Sequence, residues 1–221
     1  MRKLVIIPTY NEKENISAMI DKVFSLPETF EMLVIDDGSP DGTAAIVKER
    51  QQEFPATLHL LERSGKQGLG TAYLTGFRWG LDNGFDYICE MDCDFSHNPD
   101  DLLRLYQAAA EGNDVVVGSR YVQGVNVVNR MPLRDATAGV VCYSRHALET
   151  IDLDAVKMKG YGFQIEMKYS AWRLGLKLKE VSIIFVERRE GTSKMSGGIF
   201  REAFFGVLGL PFRSIRSTKN Q

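Results

Sequence analysis

The sequence predicts an α/β protein whose mostly parallel sheet is covered by helices on both faces. Short β-branched runs alternate with segments of helical period up to residue 119, which is typical of strand–helix–strand units. The runs LVII at 4–7 and VVV at 115–117 are wholly apolar, as expected for strands buried on both faces. The chain has 221 residues, 44% of them hydrophobic, and is long enough to bury one such core.

The elements follow a regular order in the first half of the chain. Strands are expected at 4–8, 32–36, 57–61, 87–91 and 114–119, and helices at 14–26, 42–54 and 69–83. A fourth helix is predicted to begin at Asn98 and Pro99, with Asn98 as the cap and Pro99 at the first helical position. Parallel strands joined in this way require right-handed crossovers.

The second half is less regular. Helices are expected at 144–151 and 163–174, a strand at 178–186, and an apolar amphipathic helix at 199–210. The sequence shows no repeat or linker, so we predict one catalytic domain at 1–195 and a C-terminal extension at 196–221. The end of this extension is basic, with Arg213, Arg216 and Lys219 and no acid from residue 211 onward.

Charge and cysteine content exclude several classes of protein. The net charge of −2 gives no indication of nucleic-acid binding, and the three scattered cysteines form neither a disulfide framework nor a zinc motif. The N-terminus runs directly into a strand, which is unlike a signal peptide. We therefore expect a cytoplasmic protein that is peripheral on the cytosolic face of a membrane, where the basic tail suits anionic lipid.

Two carboxylates follow the strand predicted at 87–91. Asp92 and Asp94 lie one residue apart at its carboxyl end, the edge where open α/β sheets bind ligands. Such carboxylates repel each other unless a cation compensates them, and a hard divalent ion bridged to substrate phosphates does so most simply. Taken alone, the D-x-D pattern also fits a solvated turn.

Further polar segments follow the first two strands. PTYNE stands at 8–12 and DDGSPDGT at 36–43, and both belong to the same sheet edge. Carboxylates there can accept hydrogen bonds from a base or from ribose hydroxyls. A helix dipole explains an acid at Asp41 but not why Asp36 and Asp37 end a buried strand. Neither segment is a dinucleotide fingerprint or a Walker loop.

Cations in other segments suit a diphosphate. A leaving diphosphate needs a metal together with guanidinium or ammonium donors that hold its developing charge. A glycine-rich loop, GKQGLG at 65–70, opens the third helix and is a plausible anion site. The candidate cations are Lys66, Arg120, Arg134, Arg188 and Lys194.

Together these motifs resemble those of family 2 glycosyltransferases with the GT-A fold, and more closely those of the dolichyl- or polyprenyl-phosphate mannosyltransferases. The matching stretches are PTYNEKENI, DDGSPDGT, GKQGLGTAY, MDCDFSHNP, GSRYVQGVNVVN, RDATAGVVCY, KGYGFQIEMK and RREGTSKMS. They span nearly all of the chain in family order. Ser96 stands where many relatives have Gln, and a helix-forming stretch found in relatives after VNVVN is absent from this sequence.

The resemblance implies a role for each candidate residue. Asp92, Asp94, Arg120 and Arg188 would be catalytic, with Asp92 on the sugar nucleotide and Asp94, with Asp92, on Mg²⁺ or Mn²⁺. Arg134 and Lys194 would bind the acceptor or its phosphate, and Glu166 would lie with Gln164 at the sugar pocket. The donor would be held by Pro8, Tyr10, Glu12, Asp36, Asp41, Lys66 and Gln164.

The implied reaction joins GDP-mannose to a polyprenyl phosphate with inversion. The acceptor is already anionic, so positioning and electrostatics should dominate catalysis. The implied partners are the two substrates, a membrane surface, and an anchoring subunit or a second copy of the chain, but no nucleic acid. The helix at 199–210 would lie in the membrane interface or pack on the protein itself.

Other readings stay open on the residues alone. A family 2 enzyme could use another donor, such as UDP-glucose, or a glycan acceptor. A nucleotidyltransferase would carry a glycine-rich, lysine-containing signature after the first strand, where this chain has TYNE. A non-catalytic scaffold would be expected to lack the site carboxylates, which are present.

Overall fold

A computed structural model describes residues 1–121, 131–160, 162–186, 209–210, 215 and 217–218. The strands in these ranges are β1 (Lys3–Thr9), β2 (Glu31–Asp36), β3 (Leu58–Glu62), β4 (Tyr87–Glu90), β5 (Val115–Ser119), β6 (Val141–Ser144) and β7 (Leu178–Ser182). The helices are α1 (Ile16–Phe24), α2 (Thr43–Arg50), α3 (Leu69–Asp82), α4 (Asp101–Ala110), α5 (Arg145–Thr150) and α6 (Gly162–Arg173).

The described strands form a single sheet in the order β3-β2-β1-β4-β6-β5-β7. Pairing is parallel except on the two sides of β6, which runs against both β4 and β5. The amino end of β6 therefore lies at the same edge as the carboxyl ends of its neighbours, with Val141 opposite Glu90. The predicted fold class is confirmed, and this edge collects the segments singled out in the sequence.

Helices cover both faces because strand side chains alternate. Leu4 and Ile6 of β1 point to the core under α3, α5 and α6, whereas Val5 and Ile7 point to the core under α1, α2 and α4. All four side chains are fully buried. This two-sided burial explains why β1 is apolar throughout rather than alternating.

Two glycines let α3 lie close to the sheet. A Cβ on Gly76 would lie 2.7 Å from Cδ1 of Ile6, and one on Gly80 would lie 2.6 Å from Cδ1 of Ile88. Any larger side chain would push the helix outward. The close packing fixes the N-terminus of α3 near the carboxyl ends of β1 and β4.

Several predicted boundaries were wrong. The strand β6 was missed, because Val141 to Ser144 is short and runs directly into α5, whose cap is the Ser144 hydroxyl. The fourth helix begins at Asp101, and Asn98 instead accepts a bond from the Asp100 amide in the preceding turn. The last strand ends at Ser182 rather than at 186.

Most of the predicted C-terminal helix at 199–210 lies outside the described residues. Leu210 is fully buried in the core under α3, α5 and α6, and Ser217 forms a bridge with Ile151. These described parts of the tail therefore pack on the domain. None of the described helices is long and apolar enough to cross a membrane.

Candidate active site

Asp36 ends β2 with both carboxylate oxygens engaged. Oδ2 accepts bonds from the hydroxyls of Thr9 at 2.9 Å and Ser39 at 2.6 Å, and Oδ1 accepts the Ser39 amide at 2.8 Å. The side chain is buried. Asp36 thus fastens the loop after β2 to the end of β1, and it orders the backbone around the predicted donor site.

The next residue, Asp37, forms an ion pair with Arg63 that the sequence analysis did not predict. Nε of Arg63 lies 2.6 Å from Oδ1 of Asp37, and Nη1 of Arg63 donates to the Thr71 hydroxyl at 2.9 Å. Both charged side chains are only 9% exposed. The sequence feature that could have predicted this pair is an arginine directly after β3, since two aspartates stand at the end of the neighbouring strand β2.

Asp41 fixes the start of α2. Its carboxylate accepts bonds from the Thr43 amide and hydroxyl and from the Lys13 amide. Burial acts to raise the pKa of Asp41, but the bonds from Thr43 and Lys13 outweigh it and lower the pKa. The Glu12 amide donates to the Thr43 hydroxyl at 3.0 Å, so these contacts join the PTYNE loop to the DDGSPDGT loop.

Tyr10 and Lys66 meet beside these loops. The Lys66 ammonium lies 5.2 Å from the centre of the Tyr10 ring. Gly68, with φ of 102°, leads from this loop into α3, and a Cβ there would lie 3.0 Å from the Lys159 carbonyl. Pro8 is half-buried and lies in the same loop as Tyr10. This part of the sheet edge therefore presents the Tyr10 ring and the Lys66 ammonium.

Asp92 and Asp94 follow β4 in a tight turn. The left-handed Phe95, with φ of 59°, lets the Ser96 amide donate to Oδ1 of Asp94 at 3.0 Å. Asp94 is buried, and Asp92 is half-buried with its Oδ1 3.4 Å from the Tyr73 hydroxyl. The strand β1 separates β2 from β4, so Asp36 stands about 10 Å along the edge from this turn.

His97 is buried directly after this turn. Its ring packs edge-on against Phe185 at 5.4 Å, and its Nδ1 has no hydrogen-bond partner. Burial, opposed by Asp94 and reinforced by Arg120, lowers the pKa of His97 to about 4. The imidazole is therefore neutral near pH 7.

Arg120 is held by a buried carboxylate. Its Nε and Nη2 lie 2.7 and 2.8 Å from the two oxygens of Asp135, and Nη2 also donates to the Thr137 hydroxyl at 2.7 Å. The Asp135 side chain is fully buried, whereas the Arg120 side chain is 25% exposed. Burial alone would raise the pKa of Asp135, but the bonds from Arg120 lower it.

Arg134 precedes this carboxylate and is exposed. The amides of Arg134 and Asp135 both donate to Oε1 of Glu180 at 2.9 Å, which ties the segment to β7. Arg120 and Arg134 therefore belong to one anchored unit beside the D-x-D turn. The other two predicted cations, Arg188 and Lys194, lie outside the described residues.

A buried polar layer lies beneath Asp92. Glu90, Gln164 and Lys168 are each at most 2% exposed, and the Lys168 ammonium donates to Oε1 of Gln164 at 2.9 Å. Burial raises the pKa of Glu90 to about 8 and lowers that of Lys168 to about 8. The predicted donor residue Gln164 thus belongs to this layer.

Glu166 lies on the same helix but serves a different contact. Its Oε2 accepts bonds from the amides of Lys157 at 3.0 Å and Met158 at 2.8 Å. The adjoining Lys159 carbonyl accepts the Gly70 amide at 2.8 Å, so Glu166 supports the segment against the start of α3.

Comparison with known proteins decides the family. The model of the family described as Glycosyl transferase family 2 matches residues 4–171. The chain belongs to glycosyltransferase family 2. The nucleotidyltransferase reading is thereby set aside.

Two curated family members are similar along most of their length. The chain is 44% identical over 226 residues to polyprenol monophosphomannose synthase from Mycolicibacterium smegmatis, covering 93% of this chain and 85% of that protein. It is also 44% identical over 227 residues to undecaprenyl-phosphate mannosyltransferase from Micrococcus luteus. That match covers 94% of this chain and 93% of that protein.

Solved structures of glycosyltransferases share the fold. A complex of glucosyl-3-phosphoglycerate synthase from Mycobacterium tuberculosis with Mn²⁺, UDP-glucose and phosphoglyceric acid has a TM-score of 0.74 at 20% identity, covering 96% of this chain and 80% of that one. A mannosyltransferase from Pyrobaculum calidifontis in complex with GDP-Man and Mn²⁺ has a TM-score of 0.67 at 18% identity. The match covers 99% of this chain and 66% of that one. The GT-A architecture of the family 2 domain is thus confirmed.

The D-x-D turn of this glycosyltransferase offers two carboxylate side chains to a divalent ion. Asp92 and Asp94 supply carboxylate oxygens, the ligands that hard divalent ions prefer. Over the described ranges, no group of three or more His, Cys, Asp or Glu side chains could hold a metal by itself. Mg²⁺-like ions are often held by one or two carboxylates and completed by water and substrate phosphates, so the residues fit such an ion.

Proposed function

We propose that this family 2 glycosyltransferase transfers mannose from GDP-mannose to a polyprenyl phosphate and releases GDP, with inversion at the anomeric carbon. The observation that carries the proposal is the 44% identity to two proteins named as polyprenyl-phosphate mannosyltransferases, over at least 93% of this chain. The geometry of the sheet edge supports it, because each part of such a donor finds chemically suitable residues there.

The nucleoside would bind at the β1 and β2 end of the edge. Tyr10 offers a ring for stacking, and Lys66, which already lies over this ring, adds a donor for phosphate or base oxygens. Asp36 and Asp41 keep the two loops in place through the bonds to Ser39 and Thr43. Pro8 and Glu12 belong to the same loop after β1.

The diphosphate would bind over the β4 and β5 ends. Asp92 and Asp94 would hold a divalent ion, which would supply positive charge against the leaving diphosphate. Arg120 presents a guanidinium whose orientation is fixed by Asp135 and by Thr137. Fixed donors of this kind stabilise developing charge without reorganising during the reaction.

The acceptor needs positioning more than activation. A polyprenyl phosphate is already anionic at neutral pH, so its oxygen can attack without a strong general base. Neutral His97 adds no charge beside the carboxylates. Arg134, which is exposed, and Lys194 would hold the acceptor phosphate, whereas Arg188 would be catalytic. Gln164 would support the sugar end of the donor.

The test is a transfer assay with purified protein. GDP-mannose, UDP-glucose and other labelled nucleotide sugars are each incubated with a polyprenyl phosphate, with and without EDTA, and label is counted in the organic phase. We expect transfer from GDP-mannose alone and its loss with EDTA until Mg²⁺ or Mn²⁺ is restored. Transfer from UDP-glucose instead would favour the alternative donor.

We also propose that residues 196–221 form an extension that helps the protein to bind a membrane surface peripherally, on the cytosolic side. The basic residues Arg213, Arg216 and Lys219 suit anionic lipid, and the acceptor is itself a lipid. Full-length protein should sediment with anionic vesicles, and replacing these three residues by Ala should weaken binding without changing binding to neutral vesicles. Equal sedimentation of both proteins with anionic vesicles would remove this proposal.

A further inference from the structure

Lys168 is a buried lysine with no assigned part in transfer. It lies on α6 and is fully buried. Its ammonium donates to the Ala138 carbonyl at 2.8 Å, to Oε1 of Gln164 at 2.9 Å and to the Gln164 carbonyl at 3.3 Å. Burying an ammonium in this way is strongly unfavourable unless such bonds offset the loss of water. An apolar side chain of similar length would avoid that cost, so the lysine requires an explanation.

The surrounding charges explain how the ammonium is tolerated. Glu90, when it is ionised, and Asp135 attract it, while Arg120 opposes it. Glu90 is fully buried, with the Tyr143 hydroxyl 3.4 Å from Oε1 and no hydrogen-bond partner at Oε2. Lys168 therefore interacts electrostatically both with the acidic end of β4 and with the carboxylate that holds Arg120.

The bond to Ala138 connects this layer to the site. The next residue, Gly139, lies against the D-x-D turn, because a Cβ there would lie 3.5 Å from Oδ2 of Asp92 and 3.4 Å from Nε2 of His97. Before Ala138, the same short segment carries the carboxylate and hydroxyl that bind Arg120. The carbonyl held by Lys168 thus lies between the two parts of the proposed diphosphate site.

We propose that Lys168 is a positioning residue for donor binding: by holding the Ala138 carbonyl, it fixes segment 135–139 between Asp92 and Arg120. The inference rests on the proposed function in that a nucleoside diphosphate and a divalent ion bind at this edge. Lys168 touches neither ligand in this account. Its loss should loosen the segment and weaken both parts of the site together.

The first test compares two buried lysines. Lys168→Met removes the ammonium. Lys3→Met does the same at the amino end of β1, away from the proposed site, where Lys3 pairs with Glu28 at 2.6 Å and is 8% exposed. Binding of GDP in the presence of Mn²⁺ is measured by calorimetry, and the unfolding midpoint by scanning fluorimetry. We expect Lys168→Met to weaken GDP binding about tenfold or more, the size typical of residues that support metal ligands, and Lys3→Met to leave it unchanged.

A double variant separates positioning from charge balance and also covers poor folding of the single variant. Glu90→Gln/Lys168→Met removes both ionisable groups and is compared with Glu90→Gln. The Ala138 carbonyl still lacks its donor in the double variant, so GDP should bind about tenfold more weakly than to Glu90→Gln even where the unfolding midpoint is restored. Equal affinity in this pair would overturn the positioning role.

Failure of the proposed function gives a different result. If wild-type protein does not bind GDP with Mn²⁺, the donor assignment fails before any variant is compared. If wild-type protein binds and Lys168→Met binds equally well, the inference about Lys168 fails while the donor assignment stands. If both lysine variants weaken binding in proportion to their loss of stability, Lys168 is a structural residue only.

Discussion

Asp135→Asn is the most informative single change, because one buried carboxylate orients the guanidinium proposed to face the diphosphate. Asp135 accepts the backbone amide of Arg120 at 3.1 Å and two guanidinium bonds at 2.7 and 2.8 Å. Asparagine keeps the shape but replaces one oxygen by an amino group. That group would face guanidinium donors, so at least one charged hydrogen bond is lost and Arg120 becomes free to turn away.

The size of the effect follows from burial. A hydrogen bond to a charged group contributes about 1.5–3 kcal/mol. Because the Arg120 side chain is 25% exposed, water can replace part of the lost interaction, and we expect the lower half of that range. A loss of about 2 kcal/mol corresponds to a fall of about 4–8 °C in the unfolding midpoint for a chain of this size.

The pH dependence of this loss has a definite sign. The pKa of Asp135 is lowered in the folded protein, so the carboxylate contributes its full stability above its unfolded pKa, near 3.9. The contribution declines as the pH falls through the lower folded value. The difference in midpoint between wild type and Asp135→Asn should therefore be largest near pH 7 and should narrow in acid.

The assay combines thermal unfolding at several pH values with GDP binding in Mn²⁺. Asp154→Asn is the matched control, because Asp154 also pairs with an arginine, Arg78, but is 88% exposed. We expect the control to match wild type, since exposed pairs contribute little. If Asp135→Asn matched this control in both midpoint and GDP affinity, Arg120 would not depend on Asp135.

Three further changes test other parts of the site. Asp94→Asn should reduce metal-dependent transfer at least about 100-fold, measured with Mn²⁺ titrated into the assay; full transfer without any divalent ion would exclude the role of Asp94. His97→Gln should gain stability relative to wild type as the pH falls from 6.5 towards 4, by up to about 3 kcal/mol. The reason is that the unfolded wild type binds a proton on His97 over this range, whereas the folded protein keeps the buried imidazole neutral. Free energies of unfolding that change equally with pH in both proteins would contradict the burial argument. Gly70→Ala should destabilise the protein by about 1–3 kcal/mol, since the new Cβ would lie 2.8 Å from the Met158 carbonyl; an unchanged midpoint in urea would show that this segment can move aside.

The sequence was sufficient for those features that one segment determines. Apolar runs predicted the strands through β5, and their parallel order placed the ends of β1, β2 and β4 at one edge. The motif at 92–94 therefore indicates a ligand site from the sequence alone. Asp36 shows the limit, because the sequence did not indicate that its carboxylate accepts hydrogen bonds from Thr9 and Ser39. Which oxygens are engaged depends on neighbours that only the folded chain brings together.

The pairs that complete the site could not be predicted for the same reason. Arg63 and Asp37 are 26 residues apart, and Arg120 and Asp135 are 15 apart. Taken alone, each of these charged residues is typical of a solvent-exposed loop. Their pairing depends on strand order and on close loop packing, and neither is encoded in a local pattern of residues.

The missed strand β6 explains why the sequence could not place segment 135–139 at the site. A sheet of parallel strands alone would place residues that precede a strand at its amino edge, away from ligands. Because β6 runs against β4 and β5, the segment that precedes it emerges instead at the carboxyl edge. This reversal brings Asp135 to Arg120 and Gly139 to Asp92. The single antiparallel strand is thus the feature of the described sheet that joins the arginine to the carboxylate pair, and a change that disturbed its register would separate them while leaving both motifs intact in the sequence.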